Sequence, residues 1–362
     1  MARYRTMMEL LFGVAILYQG CASKVKCIDD NGKAVDWYII YTYPNGKDGL
    51  SYLYMDESTN GWKVSNEAIN STSVFLANTL RPLLDFYDRK TEDFGYMLYN
   101  DQPPRIRPAR KPYPAPSSFG HSKGVVMLDK KTGVWLSHST PQFPEYRSKD
   151  FWPNSGNINA QTFMCVTYSY EEFKEIGLQL MYIHAYSYDH DIPTTFHNEL
   201  RCVAKRDCYP KNEPWFRAKT LTSMSGRKFP SFAKYTRFGD DLYSGLLVNY
   251  LKPNLYVKTW GKMRDPLSSN CSFSIPHHVY NVKKVKLPYR KHFLDTVDHS
   301  KWCVTPKGDW TCIADMNRET SQMKRGGGAI CIKDVTVARA FRNIIISYEL
   351  CNIVPNAYFR EL

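Results

Sequence analysis

The sequence predicts a mixed α/β fold assembled from two related halves. Three observations carry that expectation. Runs rich in β-branched and aromatic residues stop at turn residues, stretches of helical periodicity lie between them, and one His-Ser-Lys triplet occurs twice, about half the chain apart. With 362 residues, 43% hydrophobic and 14% aromatic, the chain can bury one large core or two fused ones, which excludes an intrinsically disordered protein.

The elements follow in order. Residues 1–22 have the layout of a signal peptide: Arg3 and Arg5, an apolar run over 7–18 broken by Glu9, then small Gly20 and Ala22 before a cleavage point. The run is too short to span a bilayer and no later one is long enough, so a lumenal or extracellular protein without stable membrane insertion is expected. Two sequons, at Asn70 and Asn270, fit that compartment. So do ten cysteines, of which Cys21 would leave with the signal peptide; the odd remainder leaves at least one thiol free or paired between chains.

Residues 36–43, Asp-Trp-Tyr-Ile-Ile-Tyr-Thr-Tyr, read as a strand ended by Pro44-Asn45-Gly46, and 49–55 as a second strand. Residues 73–80 predict a short helix limited by Pro82. A Pro- and Arg-rich loop over 102–118 runs into the first triplet. Ser169 and Glu172 match a capping box ahead of a helix whose Phe173, Ile176, Leu180 and Ile183 share one face. Residues 200–230 carry little readable pattern, Arg325-Gly326-Gly327-Gly328 reads as a tight turn, and 335–345 as a last helix.

The triplets carry the chemistry. His121-Ser122-Lys123 is followed by Gly133-Val134-Trp135, and His299-Ser300-Lys301 by Gly308-Asp309-Trp310. Each lies downstream of a basic run: Arg105, Arg107, Arg110 and Lys111 before the first, Lys283, Lys284, Lys286, Arg290 and Lys291 before the second. These runs and a formal net charge of +13 point to a polyanionic partner. On a strand, residues i and i+2 share a face, so each triplet would aim an imidazole and an ammonium at one place. Two imidazoles and two ammonium groups suffice for phosphodiester cleavage: one imidazole attacks phosphorus or activates water, the other protonates the leaving oxygen, and the lysines offset charge on the phosphoryl oxygens. A single His-x-Lys is an ordinary surface pattern; its repetition gives it weight. His184, His190, His197, His277, His278 and His292 have no echo and read as structural or surface residues. Neither Cys-x-x-Cys nor His-Glu-x-x-His occurs, so no metal motif is seen.

At these motifs the chain resembles the deoxyribonuclease II family of acid nucleases, whose fold is related to phospholipase D. The likeness runs from about Cys27 to Cys351. It rests on the segments 36–41, 99–104 (Tyr-Asn-Asp-Gln-Pro-Pro), 120–125 (Gly-His-Ser-Lys-Gly-Val), 135–141, 161–163, 298–303 (Asp-His-Ser-Lys-Trp-Cys), 315–318 and 325–328. The resemblance implies a phospholipase-D-like pseudodimer, two β-sheet halves (23–190 and 191–362) with flanking helices that share one active site. It implies endonucleolysis of mainly double-stranded DNA at acid pH, without metal or other cofactor, to 3′-phosphate and 5′-hydroxyl ends. It further implies lysosomal or secreted action on DNA from engulfed or dying cells, by a monomer or homodimer.

By motif, His121, Lys123, His299 and Lys301 form the catalytic set, with His138, Asp315 and Asn317 orienting it or the phosphate. Arg105, Arg107, Arg110, Lys111, Lys283, Lys284, Lys286 and Arg290 are candidate DNA contacts. Expected disulfides are Cys27–Cys165, Cys271–Cys351 and Cys312–Cys331, with Cys202–Cys208 as a local extra and Cys303 left over. Phospholipase D carries an Asp beyond each motif, where this chain has Leu128 and Pro306, as deoxyribonuclease II members also lack it. That departure argues against a lipid phosphodiesterase. The two intact triplets argue against a catalytically silent DNA-binding relative.

Overall fold

A computed structural model describes residues 25–44, 49–106, 108–109, 111–271, 276–289 and 292–351. The expected signal peptide, Arg107, Arg110, Arg290 and Lys291 lie outside the described residues. A small ribbon pairs β1 (Cys27–Ile28) with β2 (Ala34–Val35). The first large sheet contains β3 (Trp37–Thr42), β4 (Tyr52–Asp56), β5 (Lys63–Val64), β6 (Phe94–Asn100), β7 (Lys123–Asp129), β8 (Thr132–His138), β9 (Thr162–Ser169) and β10 (Ser187–Asp191), in the order β10-β6-β7-β8-β9-β3-β4-β5. The second contains β11 (Phe216–Thr222), β12 (Lys228–Lys234), β13 (Leu255–Lys258), β14 (Val279–Val285), β15 (Phe293–Leu294), β16 (Trp302–Val304), β17 (Trp310–Ala314) and β18 (Gly327–Lys333), in the order β11-β12-β18-β17-β16-β13-β14-β15, with β19 (Ile345–Tyr348) beside β14.

Within the two sheets, β3-β9-β8-β7-β6 and β12-β18-β17-β16-β13 are antiparallel throughout. Each run places its His-Ser-Lys triplet just ahead of the fourth strand named. In each, a helix follows the third hairpin strand: α2 (Glu172–Ile183) after β9 and α6 (Val335–Asn343) after β18.

Strand periodicity sorts the core. On β3, Trp37, Ile39 and Tyr41 enter a core shared with Ile313, Ile330 and Phe341 of the second sheet and its helix, whereas Tyr38 and Ile40 face the opposite side, under α1 (Phe75–Asp88). The third core lies on the far face of the second sheet, under α4 (Val248–Leu251) and the turn before it. The sheets therefore pack through a common apolar layer that also contains Phe173, Ile176, Leu180 and Ile183 of α2, the face that the sequence predicted.

Three expectations need correction. The first helix does not stop at Pro82 but continues to Asp88, because Leu83 and Phe86 extend its buried stripe and offset the lost N–H bond. Ser169 does not cap α2: it ends β9 opposite Thr132, and the helix starts after Glu171 with no side-chain cap. Gly327 and Gly328 form no tight turn but open β18, just after the short α5 (Thr320–Met323). Residues 200–230 contain α3 (Asn198–Ala204) at their start and then the β11–β12 hairpin.

Candidate active site

Both triplets stand at strand entries rather than within strands, and each is gripped by the opposite sheet. Before the first, Gly120 lies so close to the carbonyl of Ile183 that a Cβ there would sit 2.1 Å from it, and the same holds for Gly326. Only glycine allows this approach. The Gly120 N–H donates to His184 O and the His121 N–H to Gly326 O, each at 2.8 Å.

The His121 ring is then fixed from the second sheet, its Nδ1 lying 2.8 Å from the carbonyl oxygen of Asp315. A carbonyl only accepts, so Nδ1 carries the proton and Nε2 keeps its lone pair. Nε2 faces the site, 3.9 Å from Asp101 Oδ2. Lys123 opens β7 with its ammonium donating to Asp101 Oδ1, and Arg325 Nη2 lies 3.4 Å from Asp101 Oδ2. Burial alone would raise the Asp101 pKa, but the Lys123 ammonium and the Arg325 guanidinium hold it well below the usual carboxylate range.

The second triplet is braced in the reciprocal direction. The His299 N–H donates to Ala160 O (2.8 Å), and the ring packs edge-on to Trp260, 4.4 Å between centroids. Asn317 Oδ1 accepts the Trp260 N–H at 3.1 Å and so sets the wall behind His299. Tyr41 of the first sheet donates its hydroxyl to Asp298 Oδ2 (2.6 Å) and lies 2.7 Å from Ser300 Oγ. Asp298 in turn accepts the Ser300 N–H at 2.9 Å and pairs with buried Lys258 at 3.2 Å. Lys301 donates to the His299 carbonyl at 2.6 Å. His299 Nε2 is buried and has no hydrogen-bond partner among the described residues.

Electrostatics ties the four groups together. Burial holds His121 down to about 3, with Asp101 opposing and Lys123, Lys301 and Arg325 adding to the fall. Burial, then Lys301 and Lys123, hold His299 down to about 2. Burial with Lys123 and Lys258 lowers Lys301 to about 7, and burial raises Asp315 to about 8 against the pull of the Gly328 N–H and both motif lysines. Lys123 and Lys301 thus act on both imidazoles, which puts the two triplets within electrostatic reach of each other.

The family description Deoxyribonuclease II matches residues 26–351. The chain belongs to the deoxyribonuclease II family. It is 36% identical over 359 residues to human deoxyribonuclease-2-beta, covering 96% of this chain and 97% of the relative. Mouse deoxyribonuclease-2-alpha is 38% identical over 343 residues (91% and 94%), and plancitoxin-1 of Acanthaster planci 36% over 345 residues (92% and 94%). The protein is a hydrolase of the deoxyribonuclease II type, with DNA as its substrate.

The remaining expected residues fall into several settings. Asp315 has Oδ2 on the Gly328 N–H (3.0 Å), and Oδ1 is buried without a hydrogen-bond partner among the described residues. His138 sits between Phe143 and Phe163, accepts the Thr140 N–H at 3.2 Å, and is held well below the usual imidazole range by burial and then Lys123. It therefore backs the site without a polar contact to the triplets. Arg105, Lys111, Lys283 and Lys286 are exposed and Lys284 half-buried; Lys283 already pairs with Asp295 at 2.7 Å. Asn70 is exposed and Asn270 half-buried. All four expected disulfides are present, and among the described residues Cys303 is a buried free thiol. Among the described residues no helix is long and apolar enough to cross a membrane.

Asp101, Arg325, Trp260, Lys258, Asp298 and Tyr41 were not singled out for the site from sequence. Asp101 is one step past the Asn100–Lys123 pair, so strand register alone delivers it to Lys123. No periodicity or spacing encodes that register.

Proposed function

We propose that this member of the family cuts double-stranded DNA internally at acid pH, without a metal ion, leaving 3′-phosphate and 5′-hydroxyl ends. The carrying observation is the His121 ring: one nitrogen is committed to a backbone carbonyl, and the other keeps its lone pair 3.9 Å from the Asp101 carboxylate to which Lys123 also donates, with Lys301 near enough to act on both imidazoles. In this reading His121 Nε2 attacks phosphorus while His299 protonates the departing 5′ oxygen. The P–O5′ bond breaks as the N–P bond forms. Water then attacks the phosphohistidine, giving its proton to His299, and the 3′-phosphate leaves. Lys123 and Lys301 stabilise the phosphoryl oxygens in both steps. Burial and then the lysine charges depress His299, and a bound phosphodiester anion opposes the lysine part, which favours protonation of the acid when substrate is present.

We further read the chain as two phospholipase-D-like halves, 23–190 and 191–362, fused around one site. The matched strand runs and the equivalent position of both triplets support this. Residues 1–22 serve as signal peptide for a lysosomal or secreted enzyme. Plasmid nicking at acid pH with EDTA, followed by analysis of the DNA ends, tests the activity. Absence of nicking, or 5′-phosphate ends, would sink the proposal.

A further inference from the structure

We propose that an aromatic face beside the first triplet binds unpaired DNA bases, so that the enzyme holds single strands as well as duplex. This rests on the nuclease reading above and adds a second substrate class to it.

The face begins two residues before His121, at Phe119, and the Phe119 carbonyl accepts the Arg325 Nε–H at 3.1 Å. The Phe119 ring stacks on His184 with centroids 4.3 Å apart and planes 22° apart. His184 leads to Tyr235 at 5.6 Å and Tyr209 at 6.1 Å, and Trp215 lies 6.0 Å beyond Tyr235. Tyr209 and Tyr235 are parallel to within 8°. None of these rings belongs to the three apolar cores, and Tyr209 is 49% exposed. Phe119, His184 and Trp215 are half-buried beside it and Tyr235 is buried, so the cluster reaches solvent through Tyr209 with the other rings behind it.

Cations are interleaved with the rings. Arg237 lies over Trp215 at 5.0 Å, and Arg206 over Tyr186, which itself meets Phe119 edge-on at 5.0 Å. Arg206, Arg237, Lys205 and Lys211 are exposed, against Asp207 and Glu213, the latter accepting the Trp215 Nε1–H at 3.2 Å. The Cys202–Cys208 bridge closes the loop that presents Arg206 and leads into Tyr209.

Aromatic rings interleaved with guanidinium groups suit a single strand: the rings take base faces and the cations take phosphates. Duplex DNA offers no such gain, because its bases already stack on one another. Charge complementarity and contact with the triplet loop thus select an unpaired strand as the occupant.

The test uses the full mature protein carrying His299→Ala, so that the strand survives, and a fluorescent oligothymidylate of about ten nucleotides, read by anisotropy at acid pH. Tyr209→Ala and Trp215→Ala should each weaken binding about tenfold, as expected for loss of one stacked base. Tyr209→Phe and Trp215→Phe should stay within about threefold of the parent, and thermal midpoints report whether each variant is folded. An abasic oligomer of equal length should bind more weakly and be indifferent to these changes. Folded Ala variants that bind oligothymidylate like the parent would overturn the proposal. So would equal losses for the abasic strand, which would reduce the face to phosphate contact, and so would capture of anionic phospholipid vesicles in place of the oligomer. Plasmid nicking by the wild type is scored separately, so failure of the nuclease reading remains distinguishable.

Discussion

Replacing His299 by Gln should make the free protein lose less stability on acidification. In the fold, burial together with Lys301 and Lys123 holds His299 down to about 2. In the unfolded chain an imidazole titrates near ~6.5. Between those values the unfolded state binds a proton that the folded state refuses. The free energy of unfolding therefore rises with pH across this window and levels off above ~6.5. At about pH 5 the deficit is roughly 1.5 pH units, or about 2 kcal/mol at ~1.36 kcal/mol per unit. His121, held down to about 3 by burial, contributes a similar amount at that pH. Against a typical stability of ~5–15 kcal/mol this is a large share. Gln is neutral at every pH, so its own packing cost enters at both pH values and cancels. Urea unfolding of wild type and His299→Gln at about pH 7 and pH 5 gives the difference directly. The variant should lose about 2 kcal/mol less between them. Equal losses would mean that the imidazole is not desolvated as the structure has it, and the account of a substrate-induced acid would go with it. A linked expectation is proton uptake when wild type binds a short duplex at pH 5, reduced in the variant.

Other outcomes follow from the same geometry. His121→Ala and His299→Ala should each lower the plasmid-nicking rate by at least ~10²–10⁴-fold, and the double variant should be scarcely worse, since the two act as a unit; near-normal nicking by either would separate the triplets. Lys301, lowered to about 7 by burial, Lys123 and Lys258, is charged below that pH and neutral above it, so activity should decline as pH rises through neutrality. Lys301→Arg should shift that alkaline limb upward, and an unmoved limb would assign it to another group. Replacing Lys283, Lys284 and Lys286 by Ala should flatten the salt dependence of duplex binding by up to about 0.9 for each phosphate no longer neutralised. Lys283 is already paired with Asp295, so most of the change belongs to the other two, and an unchanged slope would make this a merely solvated face.

What the sequence disclosed was local. The strand at 36–43 and the helix at 335–345 are visible because turn residues and periodicity are written in adjacent residues. Pro82 misled because a buried stripe, a tertiary property, decides how far α1 runs. Ser169 misled because strand pairing with Thr132 claimed the residue that a helix cap needed. The β11 strand stayed unread since most of its residues are exposed or half-buried at a sheet edge, where alternation fades. The triplets were legible only through repetition and resemblance. Their supports were not: Tyr41 and Asp298 are 257 positions apart, and nothing short of the packed sheets brings them together.

That separation bears on how the site is kept in order. His121 takes its tautomer from Asp315 and its backbone bond from Gly326, both on the second sheet, while His299 is tied to Ala160 and its flanking residues to Tyr41 on the first. Neither triplet would keep its orientation on an isolated sheet. The site also carries buried atoms without a hydrogen-bond partner among the described residues, His299 Nε2 and Asp315 Oδ1, each costing about 1–3 kcal/mol. The apolar layer shared by both sheets offsets that cost, since burying large side chains such as Trp37, Trp135 and Trp302 contributes about 2–3 kcal/mol apiece. The same interface that stabilises the fold therefore keeps both imidazoles desolvated, and burial first of all holds each below the usual imidazole range.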